Sequence, residues 1–311
     1  MKTCFLYPGQ GAQYPGMGKD LWESSSRVKD LFTLASDIMG KDMKALIFDG
    51  PEEVLKRTDN TQPAITLVNT SVKLILNERG LQSSGCAGFS LGEFAALEDA
   101  GVITAEELFR LVKVRGELMQ KAGDTLGSGT DAPGMAAVIG LSVEKIEELF
   151  GDGKLEVYPA NYNAPTQIVL AGTAAGLARA EEICKEQGAR RFLPLKVSAP
   201  FHSPLLEEAR KGFEQALAGY TFRDPSKALY SNVTGGRVVS GAEAKKLAVA
   251  QVISPVRWTL EEQAVLNEGY GRILETGPGK VLGGLWKSIS SEQACLPCGT
   301  LEQIDAALQA E

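Results

Sequence analysis

The pentapeptide Gly88-Phe89-Ser90-Leu91-Gly92 constrains the fold of this chain more than any other feature. It ends a short run of small residues, 85–88, and it opens a stretch, 91–99, that is predicted to be helical. A serine at the tip of a tight strand-to-helix turn is a nucleophile elbow, and the two flanking glycines make room for that turn. The pattern therefore predicts an α/β domain with a parallel sheet, similar to the α/β-hydrolases.

The chain contains a single histidine, His202, which lies between Pro200 and Pro204. A serine hydroxyl is a poor nucleophile until a base takes its proton, and imidazole is well suited to act as that base near neutral pH. If Ser90 is a nucleophile, His202 is the only imidazole available to it. No acidic residue stands out as the third member of a triad, which weakens an ordinary hydrolase interpretation. From the residues alone, a structural or exposed histidine stays an alternative.

Composition narrows the class of protein and its partners. The 311 residues include 44% hydrophobic and 23% charged side chains, which is typical of a soluble globular protein. The net charge of -7 argues against a nucleic-acid or anionic-membrane partner. The N-terminus does not resemble a signal peptide, and no apolar run approaches the roughly 20 residues of a membrane helix. We therefore expect a cytoplasmic protein.

The five cysteines are expected to be reduced thiols, since an odd number does not suit a disulfide framework. One C-x-x-C motif, Cys295 to Cys298, allows a redox or half-zinc interpretation. A coincidence within a late strand is favoured over it, because there is no second C-x-x-C and the lone histidine lies far upstream. We expect no metal site.

The middle of the chain is predicted to have a different order of helices and strands from the rest. A capping box at residues 104–107 starts a helix that is predicted to run to about Ala122, and the polar stretch 123–133 follows as a boundary. The next segments are predicted in the order βαββαβ, which is the ferredoxin-like pattern: strand 135–139, helix 142–150, strands 155–161 and 167–171, helix 174–187 and strand 189–197. We predict a large α/β domain, residues 1–127 and 198–311, with a small ferredoxin-like domain inserted at 128–197.

A glycine-rich loop, residues 8–18, follows the predicted first strand, residues 3–7. It fails both nucleotide-binding templates. The third glycine of G-x-G-x-x-G would fall at Tyr14, and Gly18-Lys19 is followed by Asp20 rather than by Ser or Thr. Its backbone N–H groups could still form one half of an oxyanion hole.

Further segments accompany the pentapeptide along nearly the whole chain: residues 7–13, 61–64, 88–93, 114–116, 161–165, 199–203, 255–258 and 275–280. In this order they resemble the malonyl-CoA:acyl carrier protein transacylases and the related acyltransferase domains of polyketide and animal fatty acid synthases. The inserted ferredoxin-like domain agrees with that family's architecture.

The resemblance implies a role for each matching residue. Ser90 would be the acylated nucleophile, with His202 as its base and then acid. The resemblance further assigns Gln10 and Leu91 to the oxyanion hole through their N–H groups, Arg115 to the substrate carboxylate, the carbonyl of Gln251 to the orientation of His202, and Gln62, Phe89, Asn161 and Phe201 to the pocket. A two-pronged guanidinium also suits a planar carboxylate on physical grounds.

The implied reaction is a ping-pong transfer of malonyl from malonyl-CoA to the phosphopantetheine thiol of acyl carrier protein, supplying fatty acid biosynthesis. It requires no cofactor, and we expect a monomer. The chain departs from the family at Phe89, where histidine is usual, and this bears on acyl selectivity. Three alternatives stay open at this point: a thioesterase or esterase, a non-catalytic subunit that binds carrier protein or acyl-CoA, and a polyketide acyltransferase.

Overall fold

Two β-sheets organise the chain in the computed structural model, which describes residues 1–127 and 132–310. The strands are β1 (Thr3–Tyr7), β2 (Gly85–Gly88), β3 (Gly134–Ile139), β4 (Val157–Ala164), β5 (Gln167–Gly172), β6 (Arg191–Pro194), β7 (Ala228–Tyr230), β8 (Arg237–Val238), β9 (Arg272–Glu275) and β10 (Cys295–Pro297). The larger sheet has the order β10-β9-β1-β2-β7-β8 and the smaller one the order β4-β5-β3-β6.

The larger sheet is parallel except at one edge, where the two-residue strand β8 runs antiparallel to β7. Successive residues of its strands enter two different cores. Phe5 and Tyr7 face the larger core, whereas Cys4 and Leu6 face a second core that contains Trp258. Both faces are therefore covered, which explains why the strands read as continuous apolar runs rather than as alternating ones.

Helices provide those covers, together with a short 3-10 turn at Pro204–Leu206. The helices are α1 (Lys19–Ser24), α2 (Ser26–Met39), α3 (Met43–Phe48), α4 (Glu52–Leu55), α5 (Thr58–Glu78), α6 (Gly92–Asp99), α7 (Ala105–Leu126), α8 (Val143–Phe150), α9 (Ala174–Glu186), α10 (Glu207–Leu217), α11 (Gly241–Ala250), α12 (Trp258–Asn267), α13 (Val281–Trp286) and α14 (Leu301–Gln309). The larger core takes side chains from α1 to α7, α10, α11 and α14, and the second core takes them from α12 and α13.

The smaller sheet is antiparallel, and its order and connections are ferredoxin-like. One face packs against α8 and α9 through residues such as Val138 and Ile168. The opposite face, which includes Met135 and Val169, belongs to the larger core. The predicted fold class, a parallel α/β domain with an inserted ferredoxin-like unit, is confirmed.

Three predicted elements differ in extent by three residues or more. Strand β4 spans Val157–Ala164 rather than 155–161, because its pairing with β5 continues until Ala164 faces Gln167 across a tight hairpin. Helix α7 continues to Leu126 rather than ending near Ala122, because Gly123 does not break the helix. A Cβ at Gly123 would collide with the carbonyl of Ser198, so this glycine allows a close approach between two segments. Strand β6 spans Arg191–Pro194 rather than 189–197. The last contact with β3 is made by the N–H of Leu195, which donates to the carbonyl of Met135, because the chain then turns and the N–H of Val197 donates to the carbonyl of Leu195.

The predicted domain boundary falls in part on residues 128–131, which lie outside the described residues. The described strands of the smaller sheet span 134–194, within the predicted 128–197. Across the described part of the chain, every helix is too short or too polar to cross a membrane.

Candidate active site

The turn at Ser90 has the geometry of a nucleophile elbow. It joins β2 to α6, and Ser90 has a φ of 51°, in the left-handed region that side chains other than glycine rarely adopt. A Cβ on Gly88 would collide with the backbone of Gly92, and one on Gly92 would collide with the carbonyl of Tyr7. The flanking glycines are therefore required by close packing, and the strained serine is held at the tip of the turn.

Loops at the carboxyl edge of the larger sheet converge on this serine. Gln10 follows β1, Ser90 follows β2, and Asn232 follows β7. Because parallel strands end on the same side of a sheet, residues far apart in the sequence meet at this edge. The antiparallel sheet completes the lining of the site with Met135 and Val169.

His202 is buried beside Ser90 and also has a positive φ, 58°. Its Nδ1 lies 2.8 Å from the carbonyl oxygen of Gln251, which can only accept a hydrogen bond, so Nδ1 carries the proton. The unprotonated Nε2 then lies 2.7 Å from Ser90 Oγ and accepts its hydrogen bond. Burial, followed by the charge of Arg115, lowers the pKa of His202 to about 4. The imidazole is thus neutral at pH 7 and able to take the serine proton.

A cavity of about 220 Å³ opens in front of this pair. Nine of the ten residues predicted for the site line it, and Gln251 lies behind it; the nine are Gln10, Gln62, Phe89, Ser90, Leu91, Arg115, Asn161, Phe201 and His202. The backbone N–H groups of Gln10 and Leu91 have no hydrogen-bond acceptor among the described residues. Both are thus available to an oxygen of a bound molecule.

Arg115 is buried on α7, with 1% of its surface exposed, and its guanidinium stacks over Phe94. Gly116 permits α7 to pass close to α5, which brings Arg115 beside Gln62. One terminal nitrogen donates to Gln62 Oε1 and the other to Gln251 Oε1, each at 2.9 Å. The Nε–H has no partner among the described residues. Three of its five N–H bonds are therefore unused, which suits an anionic ligand.

Burial lowers the pKa of Arg115 to about 10, and the nearby Glu93 opposes that shift. The guanidinium stays charged at neutral pH. A buried cation in a small cavity attracts an anion strongly, because little water screens it.

A polar network beneath the elbow has no counterpart among the predicted site residues. Asn232 Oδ1 accepts from the N–H of Ser90 at 2.7 Å, and its Nδ2 donates to the carbonyl of Gly88 at 2.7 Å and to Glu261 at 2.5 Å. Glu93 accepts from the N–H of Asn232 at 3.0 Å. Burial raises the pKa of Glu93 to about 7 and that of Glu261 well above its usual range.

Asn232 is part of a sequon-like triplet that resembles a simple turn, and Glu93 lies on an apolar helix. Only the tertiary structure, which brings the loop after β7 against the Ser90 turn and α6, shows that these residues hold the strained turn. The usual signals of hydrophobic period and glycine spacing carry no information about such contacts.

The remaining predicted pocket residues form the walls of the cavity. Phe89 packs edge to face on Trp258, with ring centroids 5.3 Å apart. Asn161 is buried on β4 and forms a β-bridge with Val256, which joins the smaller sheet to the segment just before α12. Phe201 is buried next to His202. The effect of Phe89 on acyl selectivity stays a prediction.

The fold and this site together define a serine-dependent enzyme that acts on acyl groups. Comparison with known proteins agrees with that class. A family model described as an acyl transferase domain matches residues 4–286. The malonyl CoA-acyl carrier protein transacylase of Bacillus subtilis is 36% identical over 312 residues, covering 99% of this chain and 96% of the relative. That of Escherichia coli K12 is 39% identical over 290 residues, covering 92% of each.

Solved structures agree as well. An acyl carrier protein S-malonyltransferase from Vibrio cholerae superposes with a TM-score of 0.92 at 38% identity, covering 98% of this chain and 99% of that one. A malonyl-transacylase in complex with its type II PKS acyl-carrier protein has a TM-score of 0.93 at 36% identity, with full coverage of both chains. The chain belongs to the malonyl CoA-acyl carrier protein transacylase family.

Proposed function

We propose that this chain transfers the malonyl group of malonyl-CoA to the phosphopantetheine thiol of an acyl carrier protein, supplying fatty acid biosynthesis. The observation that supports malonyl as the transferred group is the buried guanidinium of Arg115, which lies in the same small cavity as Ser90 and His202. An acyl group with a free carboxylate satisfies both the nucleophile and the unused N–H donors of the arginine. An acetyl group offers no acceptor to those unused donors.

The proposed first half-reaction uses the Ser90–His202 pair. Nε2 of His202 takes the hydroxyl proton as Ser90 Oγ attacks the thioester carbonyl. The N–H groups of Gln10 and Leu91 donate to the oxygen of the tetrahedral intermediate. Its collapse breaks the C–S bond, the proton passes from His202 to the CoA sulfur, and malonyl-Ser90 is left.

The second half-reaction reverses these steps with a different thiol. The phosphopantetheine thiol gives its proton to His202 and attacks the malonyl-Ser90 ester. Collapse breaks the ester C–O bond, and Ser90 recovers the proton. Because CoA and the phosphopantetheine arm enter and leave with the substrates, the proposal includes no cofactor. All of the groups come from one chain, which supports a monomer as the active unit.

Intact mass spectrometry with malonyl-CoA alone tests the proposal. We expect a stable malonyl adduct on wild-type protein and none on Ser90→Ala, with less adduct from methylmalonyl-CoA and acetyl-CoA. Holo acyl carrier protein should then discharge the adduct, whereas the apo form, which lacks the arm, should not. Rapid release of free malonate would instead indicate a thioesterase, and no adduct at all would indicate a binding subunit.

Comparing the carrier protein of fatty acid synthesis with a type II polyketide carrier protein as acceptors distinguishes the two pathways. We expect a higher kcat/KM for the fatty acid carrier. The opposite order would place the chain in polyketide synthesis.

The carrier protein is proposed to dock along the edge strand β6. Arg190, Arg191 and Lys196 are exposed there, as is Leu195, which also lines the cavity. This basic edge therefore runs to the opening of the site, and carrier proteins of this system are acidic. Opposite charges of this kind mainly accelerate encounter and fix orientation.

Reversing both arginines, Arg190→Glu with Arg191→Glu, is expected to raise the KM for carrier protein roughly three- to tenfold, because exposed charge pairs are individually weak. Loading from malonyl-CoA should not change. The matched control is Arg179→Glu with Lys185→Glu on α9. This helix packs against the face of the small sheet that points away from the cavity. An equal rise in both double variants would show a net-charge effect rather than docking at β6.

A further inference from the structure

The side chain of Gln251 contacts both Arg115 and the backbone of Ser90. Gln251 is the C-cap residue of α11 and is completely buried. Its backbone oxygen accepts from His202, as described above. Its carboxamide makes a separate set of contacts. Oε1 accepts from Arg115 at 2.9 Å, while Nε2 donates to the carbonyl of Ser90 at 3.0 Å and to Glu93 at 2.8 Å.

The orientation of that carboxamide is fixed by the chemistry of its neighbours. Arg115 carries only donors, and the carbonyl of Ser90 carries only acceptors. A reversed amide would direct its NH₂ group at the guanidinium and its oxygen at three acceptors: the carbonyl of Ser90, the carboxyl oxygen of Glu93 and, at 3.3 Å, Asn232 Oδ1. Only one orientation is therefore compatible with the groups around it.

From this arrangement we infer that the carboxamide of Gln251 is a positioning residue for the carboxylate-binding arginine. It ties the guanidinium of Arg115 to the backbone of the nucleophile itself, so the distance between the two ends of a bound malonyl group is fixed by one side chain. The inference rests on the proposed function, and it adds a determinant of the preference for acyl groups that bear a carboxylate.

Gln62 alone does not fix the arginine. It accepts from one terminal nitrogen, and its own Nε2 contacts the sulfur of Met119, which is a weak partner. Gln251 supplies the second point of attachment, on the other terminal nitrogen. A planar guanidinium held at both terminal nitrogens cannot rotate in its plane, and its three unused N–H bonds keep a fixed direction. Removing one attachment frees that rotation.

The test measures the selectivity ratio, defined as kcat/KM for Ser90 loading from malonyl-CoA divided by that from acetyl-CoA. Gln251→Met keeps the length of the side chain and the backbone carbonyl but removes the amide. The expected ratio is roughly ten- to a hundredfold below wild type, the scale of a lost buried hydrogen bond to a charged group. A role confined to folding or to His202 would lower loading from both substrates equally and leave the ratio unchanged.

A second variant, Gln251→Glu, keeps the shape and adds a charge. Its carboxylate would pair with Arg115 and compete with the malonyl carboxylate, so the ratio should again fall at least tenfold, chiefly through KM for malonyl-CoA. A purely steric role predicts that this isosteric change is the milder one. If either folded variant keeps a ratio within threefold of wild type, the inference is overturned.

Two controls separate this inference from the proposed function. In an Arg115→Ala background, Gln251→Met should change the ratio less than twofold, since the group it positions is absent. A wild-type protein that forms no malonyl adduct would refute the proposed function. A wild-type protein that loads malonyl, together with a Gln251→Met variant of unchanged selectivity, would refute only the role of the carboxamide.

Discussion

Replacing His202 with alanine is expected to slow the loading of Ser90 from malonyl-CoA by roughly 10²–10⁴-fold, the usual contribution of a positioned general base. The chain has no second imidazole, and the side chain 2.7 Å from Ser90 Oγ is the only titratable group hydrogen-bonded to that oxygen among the described residues. Stopped-flow or quenched-flow mass measurement of the adduct gives the rate. An unaltered rate would remove His202 from the mechanism.

The pH profile of the wild-type protein offers an independent readout of the same group. His202 acts as a base only when it is neutral, and its pKa is lowered to about 4. The loading rate should therefore fall as the pH drops through about 4, rather than near the ordinary histidine value of about 6.5. The network beneath the elbow adds two carboxyl groups: Glu93, whose pKa is raised to about 7, and Glu261, whose pKa is raised well above its usual range. An inflection near 7 that disappears in Glu93→Gln belongs to that carboxyl group.

Local signals in the sequence predicted much of the fold. The small-residue strand, the glycines around Ser90 and the capping box at Thr104 each describe a contact within a few residues, and each element was found. Errors arose where a distant contact decided the outcome. Gly123 has the properties of a helix terminator, yet it lies within α7 because that helix passes close to Ser198.

Some residues of the candidate site could likewise be predicted from local sequence motifs, and others could not. Ser90, His202 and Arg115 belong to motifs with recognisable chemistry, and the fold brings them into one cavity. The groups that hold them, Asn232 and the carboxamide of Gln251, come from loops after β7 and α11. Many polar residues of the chain are equally suited to a turn or a cap. Which of them meet beneath a strained serine depends on the completed tertiary structure.

Replacing Arg115 with alanine is expected to lower kcat/KM for malonyl-CoA roughly 10²–10⁴-fold relative to acetyl-CoA. Breaking one partner of a buried charge pair costs about 3–5 kcal/mol, and every 1.4 kcal/mol is a factor of about ten. The acetyl group has no carboxylate to lose, so its loading should fall far less. Parallel adduct measurements with both thioesters give the ratio, and thermal unfolding checks that the variant is folded.

Arg115→Lys is the matched variant, because it keeps the positive charge and loses the planar fork. A lysine offers no pair of parallel N–H donors to a carboxylate. It also cannot donate to Gln62 and Gln251 with the geometry of the two terminal nitrogens, which each bond at 2.9 Å. We expect Arg115→Lys to recover only part of the malonyl preference that alanine abolishes. Full recovery would mean that charge alone selects malonyl, and a preserved preference in Arg115→Ala would exclude Arg115 from substrate selection altogether.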